Sequence, residues 1–232
     1  MDKRLRWAAI GLEAGTRRLL EDLERVKNGI DPAHVAKVKR VQVHVDGVRH
    51  VLSTMARIKE LVVPRLEVLF HLTFKTPELL FLALARPALR TTFNNLAAFL
   101  HSKEGCTIES GEIENLGRYA HFGDVLALVG DKVIDLAIIE TTWGAPAITS
   151  GAVTVAKASL VSNKNLARLC EQLAIDQFML DGTRQPPASK VNAKRETRDR
   201  ELGTLVEAIF GVIYEEFGLH EVMRLVPHLQ YA

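Results

Sequence analysis

An all-α fold is what the sequence predicts, on three observations. Apolar residues recur at three- and four-residue steps along most of the chain, which is the helical period. Stretches of apolar–polar alternation ending in turn dipeptides are scarce, and aromatic residues make up only 6%. Proline, glycine and Asn–Gly breaks fall between the periodic runs, where helix ends belong. With 232 residues, 47% of them hydrophobic and 25% charged, the chain can fill a core and is not compositionally disordered. The formal net charge is only +2, so any contact with nucleic acid has to come from a local patch.

In the first element Leu5, Leu12, Leu19 and Val26 repeat every seven residues, with Ala9, Thr16 and Leu23 beside them. Asn28-Gly29 stops this helix, and Asp31-Pro32 supplies a cap and a first-turn proline for the next. That helix carries Val38, Val41, Val45, Val48, Leu52, Met55 and Val62 at helical spacing. Two antiparallel helices joined by a short turn therefore occupy 1–64, and the hairpin with its exit is set apart as 1–75. Residues 1–64 hold thirteen basic residues from Lys3 to Lys59 against eight acidic ones from Asp2 to Glu60. Such a face is a solvated flank, the rim of a dimer contact, or a surface for phosphates.

From Thr76-Pro77, another cap-plus-proline start, the pattern changes to shorter helices, and 76–232 reads as a second unit. "ELLFLALARPAL" opens it, and the polar 101–117 stretch reads as a loop. An apolar helix with spaced acids follows over 123–140, then a break at Trp143-Gly144-Ala145-Pro146. Residues 152–175 form two helices meeting near Ser162-Asn163. A linker rich in proline and charge covers 181–201, a last helix begins near Arg200, and an amphipathic tail closes the chain. Nothing resembles a signal peptide, no run reaches the ~18 apolar residues of a membrane helix, and Cys106 and Cys170 are too few for a disulfide framework. A cytoplasmic protein with reduced thiols is the expectation.

Generic enzyme signatures are missing: there is no phosphate loop, no GxSxG elbow, no HExxH and no CxxC. The eight histidines are scattered, and His44 and His50 on the second helix suit half-buried positions better than a metal site. The acids carry more. Asp124, Asp131 and Asp135, at offsets of seven and four, fall on one stripe of an otherwise apolar helix. Glu207 sits on a second apolar helix, with Glu201 two turns earlier and Thr204 between them. Buried carboxylates need cations or donors, and hard divalent ions take oxygen ligands from such a convergence. Ordinary hydrogen bonding by Asp131 and an arginine partner for Glu207 are the structural alternative, and spacing does not choose between them.

"GDVLALVGDKVIDLAI" resembles the signature helix of the ribonuclease III family, N-E-x-L-E-F-L-G-D-a-V-L. "ASLVSNKNLARLCEQLAIDQFM" resembles that family's L-V-s-N-x-x-L-A helix pair, "GTLVEAIFGVIYEEFG" its A-D-x-x-E-A-l-i-G-A-i-Y segment, and "LLFLALARPAL" its opening helix. All four occur in family order over about 77–220. The resemblance implies a helical, dimeric endonuclease that cuts double-stranded RNA with Mg²⁺ or Mn²⁺ held by carboxylates. No separate double-stranded-RNA-binding domain is expected after residue 220.

Carried over by position, the signature's final Asp is Asp131 and the last helix's Glu is Glu207, the expected catalytic pair. The signature's first acid falls on Asp124. Its central Glu falls on Ala127, which has no ligand atom, and the Asp of the last helix falls on Thr204. Two of four metal carboxylates are thus replaced, and weak binding of one ion by Asp131, Glu207 and Thr204 is the expectation, with Asp124, Asp135 or Glu201 in partial compensation. The family's aromatic dimer plug falls on Leu128. Ser162, Asn163, Lys164 and Asn165, with Lys190, Lys194, Arg195, Arg198 and Arg200, are placed toward RNA, although helix capping explains Ser162 or Asn163 equally well. Three functions compete: a slow endoribonuclease, a catalytically inactive dimeric RNA-binding or assembly platform, and a helical assembly factor without RNA contact.

Overall fold

The computed structural model describes residues 11–101, 106–143, 149–182 and 195–231, and it is all-α. Helices α1 (Leu12–Asn28) and α2 (Val35–Arg57) form the expected hairpin. Leu12, Leu19 and Leu23 of α1 and Val41, Val45, Val48 and Met55 of α2 are buried, as the seven-residue repeat requires. Arg49 to Glu24 at 2.6 Å and Lys59 to Glu13 at 2.5 Å clamp the two helices at their rims. Beyond α2 the helical ladder slips into a π-type turn over Ile58–Val62 before α3 (Val63–Phe70), whose first turn holds Pro64 without an N–H to give.

Helix α4 (Glu78–Leu84) begins where Thr76-Pro77 predicts, but its cap is remote in sequence. The Glu216 carboxylate accepts from the Lys75 and Thr76 N–H groups, both at 2.8 Å. Residues 79–85 are buried all round, so α4 is a core plug, followed by α5 (Pro87–His101). The 101–117 stretch is not the loop its composition suggests. A 33-residue helix, α6 (Ser110–Thr142), begins inside it, closed by a reciprocal capping box between Glu109 and Glu112. Ile113, Leu116 and Gly117 give that first part a buried side. α7 (Ser150–Leu160) and α8 (Asn163–Gln172) meet at Ser162 as expected. A 3₁₀ turn, Ile175–Phe178, leads to Leu180, which exchanges backbone hydrogen bonds with Leu84 and Arg86. Helix α9 runs over Arg195–Phe217, beginning earlier than expected, and α10 (Leu219–Leu225) and a 3₁₀ turn (Val226–Tyr231) complete the fold.

One hydrophobic core runs from Leu12 to Leu229 and includes both hairpin helices. Cys170 lies within it, and burial pushes its thiol up to about 12, so it is held as an inert apolar side chain. His44 stacks on Phe99 with ring centroids 4.8 Å apart, and burial, seconded by Arg40, lowers its pKa. No helix among the described residues is long and apolar enough to cross a membrane.

The hairpin is tied to α6 through one buried carboxylate. Asp22 on α1 accepts from the N–H groups of Thr107 and Ile108 at 2.6 and 2.7 Å and from the Thr107 hydroxyl at 2.8 Å. Its other partner is Arg25 at 2.5 Å. Burial pushes the Asp22 carboxyl up, but the hydrogen bonds from Ile108 and Thr107 and the charge of Arg25 outweigh it and leave the pKa lowered. Asp22→Ala should therefore cost on the order of 3 kcal/mol in urea unfolding, because it strands the buried Ile108 N–H and the part-buried Thr107 N–H. A carboxylate with a depressed native pKa stabilises fully above the unfolded value near ~3.9, and that contribution is lost as pH falls through the native value. Asp22→Asn should accordingly flatten the acid limb of the stability–pH curve while lowering the plateau at neutral pH.

Candidate active site

The site lies where α6 and α9 cross, and glycine sets how closely they approach. A Cβ on Gly130 would stand 1.7 Å from the Glu207 carbonyl oxygen, and one on Gly211 would stand 2.2 Å from that of Leu126. The two helices therefore meet backbone on backbone, antiparallel, over residues 126–130 and 207–211. Asp131 follows Gly130, and Glu207 provides the opposing carbonyl, so their side chains leave the helices at the point of closest approach.

Their charges are coupled. Glu207 is half-buried, and its pKa is raised to about 6, first by burial and next by the negative charge of Asp131. Asp135 adds to the rise, while Lys132 and Arg200 oppose it. Thus the structure brings Asp131, Asp135 and Glu207 into one electrostatic neighbourhood. Two ammonium groups share it: Lys132 pairs with Asp131 at 2.8 Å, and Lys157 of α7 pairs with Asp135 at 2.6 Å. The second oxygen of Asp135, Oδ1, is buried with no hydrogen-bond partner.

Asp124 belongs elsewhere. It and Glu201 are the two carboxylates whose charge acts on Arg86, a largely buried arginine whose pKa burial lowers and these acids raise. The acid stripe of α6 is therefore split among three cations, with Asp124 beside Arg86, Asp131 beside Lys132 and Asp135 beside Lys157. Thr204 is half-buried one turn before Glu207, and its hydroxyl donates to the Arg200 carbonyl at 2.9 Å, leaving its oxygen lone pairs outward. Ala127 is buried and offers no ligand. Among the described residues no group of three or more His, Cys, Asp or Glu side chains is placed to hold a metal ion. Three carboxylates against two ammonium groups leave one negative charge when all are ionised. That excess is too small to hold a pair of divalent ions.

The residues placed toward RNA divide by role. The Ser162 hydroxyl caps α8 by accepting from the Asn165 N–H at 3.3 Å, and the Asn165 amide donates to the Leu160 and Leu229 carbonyls at 2.9 and 2.8 Å, so both are committed to the fold. Asn163, Lys164 and Arg200 are exposed. Arg198 is tied to Glu171 at 3.2 Å, while Lys190 and Lys194 lie outside the described residues. Leu128 is 62% exposed on α6, in an apolar strip with Val125, Leu136, Ile139 and Trp143. The lysines were the residues that sequence reasoning missed. Lys132 adjoins Asp131 in the chain and was open to notice, whereas the position of Lys157 depends on how α7 packs.

Residues 124–218 match the family model of the ribonuclease III domain. The chain carries a ribonuclease III domain. The match begins at Asp124, within α6, and runs through the crossing and α9 to Gly218. Neither the curated proteins nor the solved structures give a match. In a ribonuclease III domain that keeps this crossing, the two glycines are the steric requirement. Gly130→Ala or Gly211→Ala should cost about 3 kcal/mol or more in thermal or urea unfolding, because the new methyl meets backbone that cannot move aside. Gly111→Ala, where a Cβ meets nothing within 4 Å, should change stability by less than about 0.5 kcal/mol.

Proposed function

We propose that this chain is a homodimeric ribonuclease III-type endoribonuclease that cuts double-stranded or structured RNA slowly, through a reduced carboxylate site. The ribonuclease III domain supports a role in processing double-stranded RNA in general. The observation that carries the finer reading is the coupling of Asp131 and Glu207 across the Gly130–Glu207 contact.

In this reading Asp131 and Glu207 hold one Mg²⁺ or Mn²⁺ ion weakly, with the Thr204 oxygen and an RNA phosphate completing its surroundings. When bound, the ion supplies a Lewis acid for phosphodiester hydrolysis. Glu207 has to lose its proton before it can serve, which its raised pKa delays until about pH 6. Asp135 stays turned toward Lys157 and contributes charge at one remove. Arg200, Lys164 and Asn163 lie exposed on α9 and α8, where they suit phosphate and sugar contacts along an A-form duplex. The 1–75 hairpin is an extension to the 76–232 ribonuclease III-like part.

Dimerisation rests on the apolar strip of α6, in which Leu128 takes the plug position. Five exposed apolar side chains on one long helix form a patch that a partner helix would cover. Leu128→Asp should shift a dimer to monomer in sedimentation velocity and leave the helical circular dichroism unchanged.

The inactive platform is a second reading with its own support, since Ala127 and Thr204 remove two ligands and the two lysines neutralise two of the remaining acids. Duplex RNA with Mg²⁺ or Mn²⁺ separates the two. Slow cleavage is expected, abolished by Asp131→Asn and raised roughly tenfold or more by Thr204→Asp with Ala127→Glu, which restore ligands. Cleavage that survives Asp131→Asn overturns the site. Tight, salt-sensitive duplex binding without cleavage under any of these conditions establishes the platform instead.

A further inference from the structure

We propose that the groove between α5 and α6, well away from the carboxylate crossing, is a binding site for a phosphate group. The groove encloses about 630 Å³. Arg90, Asn94 and His101 follow one another along one side of α5, and Ser110, Glu114 and Arg118 along the facing side of α6. Beneath the groove α5 and α6 meet through apolar side chains such as Phe93, Leu96, Ile113 and Leu116, while both of its lips are polar, with Ala97 and Ala98 between them.

Gly117 keeps the floor low: a Cβ there would stand 3.1 Å from the Asn94 side-chain oxygen. At one end His101 Nδ1 and the Ser110 hydroxyl lie 3.3 Å apart. Arg90 and Arg118 are exposed, and among the described residues neither has an ion pair or a side-chain hydrogen bond. Elsewhere Arg17, Arg18, Arg25, Arg49, Arg198 and Arg224 each rest on a carboxylate. Two guanidinium forks from different helices, with an amide and an imidazole beside them, form a donor set suited to an oxyanion with several acceptor oxygens.

Among the described residues Glu114 is the one carboxylate in the lining, and its charge weakens anion binding. The volume falls within the ~300–1,000 Å³ of ligand pockets, so the phosphate arrives attached to a larger body, either a free nucleotide or an RNA backbone. Arg118 stands thirteen residues before Asp131 on α6, about 20 Å along the helix, so this site does not share the carboxylates. Only the RNA source rests on the function proposed above.

The test uses the full chain in EDTA, titrated in parallel with adenosine 5′-monophosphate and with a short RNA duplex. If the source is a nucleotide, the monophosphate binds, Arg90→Ala with Arg118→Ala weakens it roughly tenfold, and Glu114→Gln tightens it several-fold. If the source is RNA backbone, the monophosphate does not bind measurably. Duplex affinity then falls roughly tenfold in the double variant, with the salt slope reduced by about two charges. Arg90→Lys with Arg118→Lys keeps the charge without the forks and should fall between wild type and the alanine pair. Unchanged affinity for both probes in the alanine pair, with its melting temperature intact, overturns the proposal, as does a wild-type chain that binds neither. Without divalent ions nothing is cleaved, so a chain with no nuclease activity still gives a decisive answer here.

Discussion

The backbone contact between α6 and α9 is the constraint on which the rest depends. Gly130 and Gly211 each face a carbonyl oxygen at a distance no Cβ could occupy, so the two helices sit closer than side-chain packing allows. Close approach is what brings Asp131 and Glu207 into one field. With ordinary side chains at the crossing, the interaxial distance would open toward the usual ~8–10 Å and the carboxylates would become separate, solvated charges. The glycines therefore belong to the site as much as the acids do, although neither has a side chain to offer.

Closeness creates an electrostatic cost that the chain meets with lysine. Burial and the negative charges of Asp131 and Asp135 raise the pKa of Glu207. A metal would relieve the same cost, and ammonium groups relieve it without one. Lys132 and Lys157 thus compete with any divalent ion for Asp131 and Asp135. Ala127 and Thr204 act in the same direction, because neither brings a negative charge to the crossing. Two lysines, an alanine and a threonine all lower the affinity for cations, while the glycine contact that organises the site is intact.

How much of this was legible in the sequence follows from which forces are local. Hairpin burial and the Ser162 turn are legible because repeat and capping are properties of a few neighbouring residues. Neither cap-plus-proline start acts as expected: Thr76 does not cap α4, and α2 begins at Val35, with the Asp31 carboxylate accepting from the Ala33 N–H instead. The first quarter of α6 reads as a loop because its composition is polar and Gly-containing. The capping box of Glu109 and Glu112 and the spacing of Ile113 and Leu116 outweigh that composition. The acid stripe was read correctly as a stripe, but sequence could not show it divided between Arg86 and the lysines. That division depends on α4, α7 and α9 arriving from distant parts of the chain. The capping of α4 by Glu216 and the hold of Asp22 on Thr107 and Ile108 escaped for the same reason.

Helix α6 joins these features into one mechanical unit. At 33 residues it is about 50 Å long, and its parts have different tasks. Its start is fixed by the segment that Asp22 holds, and Leu116 presses so closely on Gly15 that a Cβ there would stand 2.8 Å from it. The middle carries the glycine crossing and the carboxylates, and the outer strip from Val125 to Trp143 is apolar and exposed. A helix pinned at its N-terminal end and at its crossing cannot rotate about its axis. The exposed strip is therefore presented at a fixed angle to the carboxylates, and anything that covers it inherits that angle. In a symmetric pair the separation and relative orientation of the two carboxylate sites would follow from this one helix. The hairpin, although it contributes no side chain to the crossing, would then act on the site through the anchor at Asp22.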